Sequence, residues 1–260
     1  MSSIITEGAV TELLIVVVTA VLGILFMRIA KTKPFSLRRL PALDALEEIV
    51  GRCTEMNKPL FSAGFTGGFT AATLAGMALT SYATELAAKS KTKVVAIVGY
   101  PEMIPMLRDV LRVEYEAAGA IDAYDPLDQV RYYGHLPDTK YSSGIAAAME
   151  RERPGGILLV GAWMLPSHVL IPGAVSADIG CMAIGGASAV QYGPAVAVTC
   201  DYMLLGEECA AVGAYVSKDP SLMANIVTQD VFRIFFSVLL IAGLFLSAFG
   251  SKLLVDLITL

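Results

Sequence analysis

The sequence predicts an α/β protein: a doubly wound, mostly parallel Rossmann-like or flavodoxin-like sheet, flanked by an N-terminal and a C-terminal transmembrane helix. Three observations carry this. Uncharged apolar runs stand near both ends of the chain, Leu13–Met27 and Ile234–Ser251. Between them, short apolar runs ending in glycine alternate with helix-like segments, as in a parallel sheet covered by helices. That middle region is also poor in charge: from Pro154 to Cys200 only Asp178 is ionised at neutral pH, and Phe69–Ala88 carries only Glu85. Strands buried on both faces read this way.

The run Ile234–Ser251 has 18 residues without a charge, and apolar residues continue past Lys252 and Asp256, so residues 234–258 are expected to span a bilayer. The first run has 15 uncharged residues between Glu12 and Arg28. An arginine near a helix end can snorkel, which extends this expected span to residues 13–30. The preceding residues carry Glu7 and Glu12 but no Lys or Arg, unlike the basic start of a cleaved secretory signal. Arg28, Lys31, Lys33, Arg38 and Arg39 crowd the other flank, and positive charge stays in the cytoplasm. The expected arrangement is therefore a two-pass protein of the cell membrane, with residues 1–12 outside and the central domain in the cytoplasm.

Residues 31–56 read as a basic flank and an amphipathic linker helix, with Pro41 near its start and Leu43, Leu46, Ile49, Val50 and Cys53 on one face. The α/β domain is expected over residues 57–220. Its strands are placed at Leu60–Ala63, Val94–Val98, Gln129–Tyr133, Ile157–Val160, Ile179–Ile184 and Ala195–Thr199, and its helices at Thr70–Lys89, Glu102–Ala118, Lys140–Arg153 and Met203–Ser217. Gly155–Ala177 also lacks formal charge, but its glycines and prolines and the strand-length run Ile157–Val160 argue against a third span. Residues 221–233 are expected to connect the domain to the second membrane helix.

Composition narrows the function. Apolar residues make up 55% of the chain and mean hydropathy is +0.65, more than two membrane helices alone explain. The net charge of −5, with no basic stripe beyond the membrane flank, gives no nucleic-acid footprint. Cys53, Cys181, Cys200 and Cys209 lack C-x-x-C spacing and read as reduced, buried thiols. Only His135 and His168 are present, so no metal site is expected.

Ligands of open parallel sheets bind beyond the carboxyl ends of the strands, so the candidate binding residues are taken from those loops. Gly64, Thr66, Gly67 and Gly68 lie between a strand and a helix, where glycine lets backbone amides approach an anion. The loop lacks the Lys and Ser/Thr of a P-loop and departs from G-x-G-x-x-G, so a tight turn that needs glycine explains it better. Gly99 and Gly161 end other strands. Asp201 with Glu207 and Glu208 could hold a hydrated cation or a ribose hydroxyl, although helix capping is the simpler role. No catalytic motif appears and no cofactor is strongly implied. The small residues Ala71, Ala72, Ala75, Gly76, Ala78, Ser81 and Ala83 mark a helix buried within the domain or between subunits.

At Leu37-Arg38-Arg39-Leu40-Pro41-Ala42-Leu43-Asp44-Ala45-Leu46-Glu47-Glu48, with Gly51-Arg52, the chain resembles an uncharacterised prokaryotic family of membrane-anchored proteins known only as a domain of unknown function. The resemblance continues at Cys200-Asp201-Tyr202-Met203-Leu204-Leu205-Gly206-Glu207-Glu208, at Ala214-Tyr215 and at Lys218-Asp219-Pro220, and covers nearly the whole chain. It implies a similar architecture and brings no activity, substrate or catalytic residue.

The expected function is that of a structural or interaction protein: anchored in the lipid bilayer, with its cytoplasmic domain self-associating as a homo-oligomer or docking onto a larger membrane complex. The rival expectation is a nucleotide- or small-anion-binding sensor or enzyme that uses the glycine-rich strand ends.

Overall fold

The computed structural model describes residues 9–32, 40–134, 139–217 and 220–248. His135, Lys33, Arg38, Arg39 and the expected external tail up to Gly8 lie outside them, as do residues 249–258 of the second expected span. The chain divides into two units, residues 38–216 and the terminal segments 1–37 with 217–260. In chain order the elements are α1 (Ala9–Thr32), α2 (Pro41–Glu55), β1 (Leu60–Phe65), α3 (Ala71–Lys89), β2 (Val94–Val98), α4 (Met103–Ala117), α5 (Pro126–Gln129), β3 (Val130–Tyr132) and α6 (Lys140–Glu152). They continue with β4 (Gly156–Ala162), α7 (Ser167–Ile179), β5 (Met182–Ala187), α8 (Gly193–Thr199), β6 (Tyr202–Leu205), α9 (Glu207–Ser217) and α10 (Pro220–Ala248).

The six strands form one parallel sheet in the order β3-β2-β1-β4-β5-β6, which is the Rossmann order rather than the flavodoxin one. The chain winds outward from β1 to β3, crosses back through α6, and winds outward again from β4 to β6. Side chains alternate across the pleat. Phe61, Ala63, Ile157 and Leu159 face Tyr141, Ile145 and Met149 of α6 and Val169 of α7, with Val196 of α8 beside them. Leu60, Leu158, Val160, Ile184 and Leu204 face α2, α3 and α9 on the other side. Burying each such aliphatic or aromatic side chain contributes roughly 1.5–3 kcal/mol, so the sheet is held from both faces.

Three expected elements change. Ala195–Thr199, read as a strand, belongs to α8, and the sixth strand is Tyr202–Leu205, which had been assigned to the following helix. Pro194 in the first turn pre-sets helical φ, and the Thr199 hydroxyl donates to Ala195 O at 2.8 Å, one turn back. β5 begins three residues after the expected Ile179, because α7 runs to Ile179 and ends at Gly180 with φ +67°. The residues 155–177 are divided between β4 and α7. Finally, α2 is no free linker: Leu46, Ile49, Val50 and Cys53 are buried in the core on the α3 face of the sheet.

In the terminal unit α1 packs against α10. Among the described residues, one helix is long and apolar enough to cross a membrane: α10, over Leu222–Phe245. Of the two expected spans this supports the C-terminal one; the apolar part of α1, Ile15–Ile29, is shorter than the roughly 18 residues a span ordinarily has. Glu12 and Lys31 flank it, and Arg28 lies within its last turn. The expected connector 221–233 is itself helical, as the first turns of α10.

At the far edge of the sheet, β3 is only three residues long and is fastened by charge. Arg131, 14% exposed, donates to Glu152 at 2.6 Å and to Asp128 at 2.8 Å, and Lys93 pairs with Asp128. Burial alone would raise the Glu152 carboxyl, but the guanidinium groups of Arg131 and Arg151 outweigh it and hold it below its ordinary range. Lys93 does the same for Asp128, opposed by burial and joined by Arg131. Both carboxylates are depressed in the folded state, so their contribution is present above the ordinary carboxylate range, begins to fall as pH enters that range, and is lost only as pH falls through the lower folded-state values. Arg131→Met should lower the unfolding free energy by about 2 kcal/mol at neutral pH. In chemical denaturation the difference between the variant and the parent protein should begin to shrink below about pH 4 and vanish only well below it.

Candidate functional site

The strand order places the topological switch point between β1 and β4, and the loops after these strands carry most of the candidate residues. Both strands change register here. The β1–β2 ladder is regular up to Ser62 and resumes at Phe65, with the extra residue on β1 beside Gly64, and the β1–β4 ladder is regular up to Ala63 and resumes at Phe65, with the extra residue on β4. Gly64 has φ +130° and Gly161, across from it on β4, φ +155°. A Cβ on Gly64 would lie 2.4 Å from Val160 O, and one on Gly161 would lie 2.1 Å from Gly64 O. Gly76 of α3 meets the same Val160 carbonyl, where a Cβ would lie at 2.2 Å. Glycine is thus required by the close approach of three elements.

The bulge parts the β1–β2 ladder, and a side chain from α6 fills the gap. The Tyr141 hydroxyl accepts from Gly64 N at 3.1 Å and donates to Ile97 O at 2.8 Å. The ring is fully buried, and burial pushes its phenol well above the ordinary tyrosine range, so it stays neutral. The imidazole of His168, from α7, stands edge-on to it with centroids 5.4 Å apart. His168 Nδ1 lies 3.3 Å from Thr66 Oγ1, whose own proton goes to Ala162 O at 2.9 Å. Thr66 can therefore only accept from the ring, which places a proton on Nδ1. Neighbouring loops are tied in as well: Trp163 Nε1 donates to Gly186 O at 2.8 Å, and the Tyr192 hydroxyl donates to Met164 O at 3.0 Å.

The topology brings Gly64, Thr66, Gly67, Gly68, Gly99 and Gly161 to one edge of the sheet. Three of the amides near this edge are committed within the fold: Gly64 N to Tyr141, Thr66 N to Ala162 O and Gly99 N to Phe65 O. Thr70 caps α3 by accepting from Thr73 N, while the Thr73 hydroxyl turns back to Gly68 O. Gly67 lies against Ala162, where a Cβ would come within 2.4 Å of the alanine methyl. Gly68, with φ +70°, faces open space.

Asp201 does not join this edge, and it stands at the opposite end of β6 from Glu207. Because the sixth strand is Tyr202–Leu205, Asp201 precedes it at the amino edge of the sheet, and Glu207 follows it at the carboxyl edge. The Asp201 carboxylate accepts from Ala183 N at 2.8 Å and its own amide donates to Ala183 O, so it closes the start of the β5–β6 pairing. The thiols offer no nucleophile: burial pushes Cys53, Cys181 and Cys209 up to about 12 and Cys200 to about 11. Tyr141 and His168 carried no signal in the sequence that could pair them with Gly64 and Thr66, which lie 77 and 102 residues away.

Tyr141→Phe strands a buried donor and a buried acceptor and should cost about 2–4 kcal/mol of stability in chemical denaturation. Gly64→Ala should cost about 3 kcal/mol, because backbone must move, and Gly68→Ala only about 1 kcal/mol for left-handed strain in open space. Equal losses at the two glycines would mean that close packing does not set the requirement at Gly64.

No curated protein and no solved structure matches the chain. Residues 2–258 match the family described as Domain of unknown function (DUF6754), and the chain belongs to that family.

Proposed function

We propose that the chain is a membrane-anchored structural protein, with a cytoplasmic α/β domain that assembles laterally with further copies. The observation that carries this reading is the exposure of apolar side chains around α10. Ile234, Val238, Ile241 and Phe245 run along one face, while Leu240 and Leu244, each 73% exposed, fall on another. Water does not tolerate a helix apolar on more than one stripe, whereas lipid or another chain does. The reading includes α1 as a second crossing. Its 24 residues reach roughly 36 Å at 1.5 Å each, and Val16, Val17, Val21 and Ile24 are exposed. Arg28 and Lys31 at its end support the orientation with the amino terminus outside.

For assembly, the support comes from the carboxyl edge rather than from α3. Of the small residues of α3, Ala75, Gly76, Ala83, Ala87 and Ala88 are buried in the domain's own packing, while Ala72, Ala78 and Ser81 are half-buried and Ala71 is exposed. The loops after β1, β4 and β5, by contrast, are free of charge and expose Phe69 (62%), Met164 (43%) and Val190 (92%). Ligand binding at this edge is the second reading, favoured by the Rossmann strand order and its switch point. The committed amides of Gly64, Thr66 and Gly99 weigh against it.

The full chain should stay in the membrane pellet through alkaline carbonate washing. The double variant Leu240→Arg, Leu244→Arg should be retained less firmly, with α1 as its one remaining crossing, because each arginine near the centre of a span costs about 2.5–3.5 kcal/mol. Thiol labelling of a cysteine placed at Ser3 should occur from outside intact cells; a protected tail overturns the topology. In detergent, light scattering should find an oligomer that Phe69→Ser with Val190→Ser dissociates. A stabilisation approaching 2.7 kcal/mol by a nucleotide, the size expected at about 100 times its dissociation constant, would instead establish the second reading.

A further inference from the structure

The helices that cover the sheet differ in what they show on the outside. The exposed face of α4 is charged, with Arg112 paired to Asp109 at 2.8 Å and to Glu116 at 3.1 Å. α7 is inverted. Its buried residues include the polar His168 and Ser176, the latter donating to Gly173 O at 2.6 Å, while its exposed stripe is Leu170, Ala174 and Ala177, at i, i+4 and i+7. α8 continues this surface. Gly173 of α7 meets Thr199 of α8, where a Cβ would lie 2.4 Å from the hydroxyl, and the outer residues of α8 are Pro194, Ala197 and Val198, the last 81% exposed. Asp178 is the one Asp, Glu, Lys or Arg in either helix.

A helix with polar groups turned inward and apolar ones outward is suited to being covered on both sides. The single charge on this face selects the partner and its direction. In an antiparallel pair of α7 helices crossing at Ala174 on a two-fold axis, Asp178 of each copy falls beside Leu170 of the other. That is the end of the first turn of α7, where the positive pole of the helix dipole favours a carboxylate. A parallel pair would set Asp178 against Asp178, two like charges. Alanine at the crossing lets two helix axes approach to about 8 Å.

We propose that the outer face of α7 and α8 is a two-fold contact between two copies of the chain, with α7 packed antiparallel on α7 of the second copy. The contact rests on the assembly reading only in that its partner is a further copy, and it uses a different surface from the carboxyl edge.

Cysteine cross-linking of the full-length protein in membranes tests it. Ala174→Cys should give a disulfide-linked dimer on mild oxidation, because equivalent residues at the axis come within disulfide reach. Glu116→Cys on α4 and the parent protein, whose own cysteines are buried or half-buried, should stay unlinked. In detergent, Ala174→Arg should lower the mass found by light scattering to roughly half, since the substituted position is exposed and only the contact is lost. Asp178→Lys, which makes the dipole contact repulsive, should weaken association roughly two- to fivefold. The proposal is overturned if Ala174→Cys links no more readily than Glu116→Cys, if Ala174→Arg keeps the parent mass, or if Asp178→Lys associates more tightly. The Ala174→Cys dimer should persist when Phe69→Ser and Val190→Ser are added; its loss there would assign the contact to the carboxyl edge instead. Absence of the Ala174→Cys dimer while the edge variant still dissociates the oligomer would refute this contact and leave the assembly reading standing.

Discussion

The close approach of β1, β4 and α3 around the carbonyl of Val160 constrains the rest of the α/β domain. Gly64 from one strand and Gly76 from the helix both meet this oxygen at distances no Cβ could occupy, and Gly161 does the same to the carbonyl of Gly64. Three backbones thus touch without side chains between them. The bulge at Gly64 follows, since a regular ladder cannot bring two strands so close while keeping its register. The opened ladder leaves Gly64 N and Ile97 O to be satisfied, and the Tyr141 hydroxyl satisfies both. α6 and α7 are in turn positioned by that hydroxyl and by the His168–Thr66 contact.

The same packing determines what the sheet edge can do. In an open parallel sheet the switch point is where backbone amides are usually left for a ligand. Here several of those amides are spent inside the fold, and the loops around them carry apolar side chains and no charge. Charge collects elsewhere, in the Arg131 cluster that fastens β3 and along α4.

The terminal helices complete this division. Both expose apolar side chains, and among the described residues α10 alone has the length and composition of a helix that could cross a membrane. The charges that interrupt it, Asp230 and Arg233, stand one turn apart on α10 and pair at 3.8 Å, which lessens their burden on the helix.

Local chemistry determined much of this protein. The runs at Leu60, Val94 and Ile157 become β1, β2 and β4, and the expected helices at Thr70, Glu102 and Lys140 become α3, α4 and α6 within a residue or two. Periodicity, glycine breaks and capping act over a few residues and are visible in one dimension. They also sufficed to gather Gly64, Thr66, Gly99 and Gly161 at one edge. Where the chain is locally ambiguous this fails: Ala195–Thr199 is short and apolar enough for either state, and misreading it carried Asp201 to the wrong end of β6. Tertiary structure alone decided that Tyr141 bridges a parted ladder and that α2 belongs to the core. Hydrogen-bond satisfaction and close packing join residues tens of positions apart, and no local pattern encodes which of them will meet.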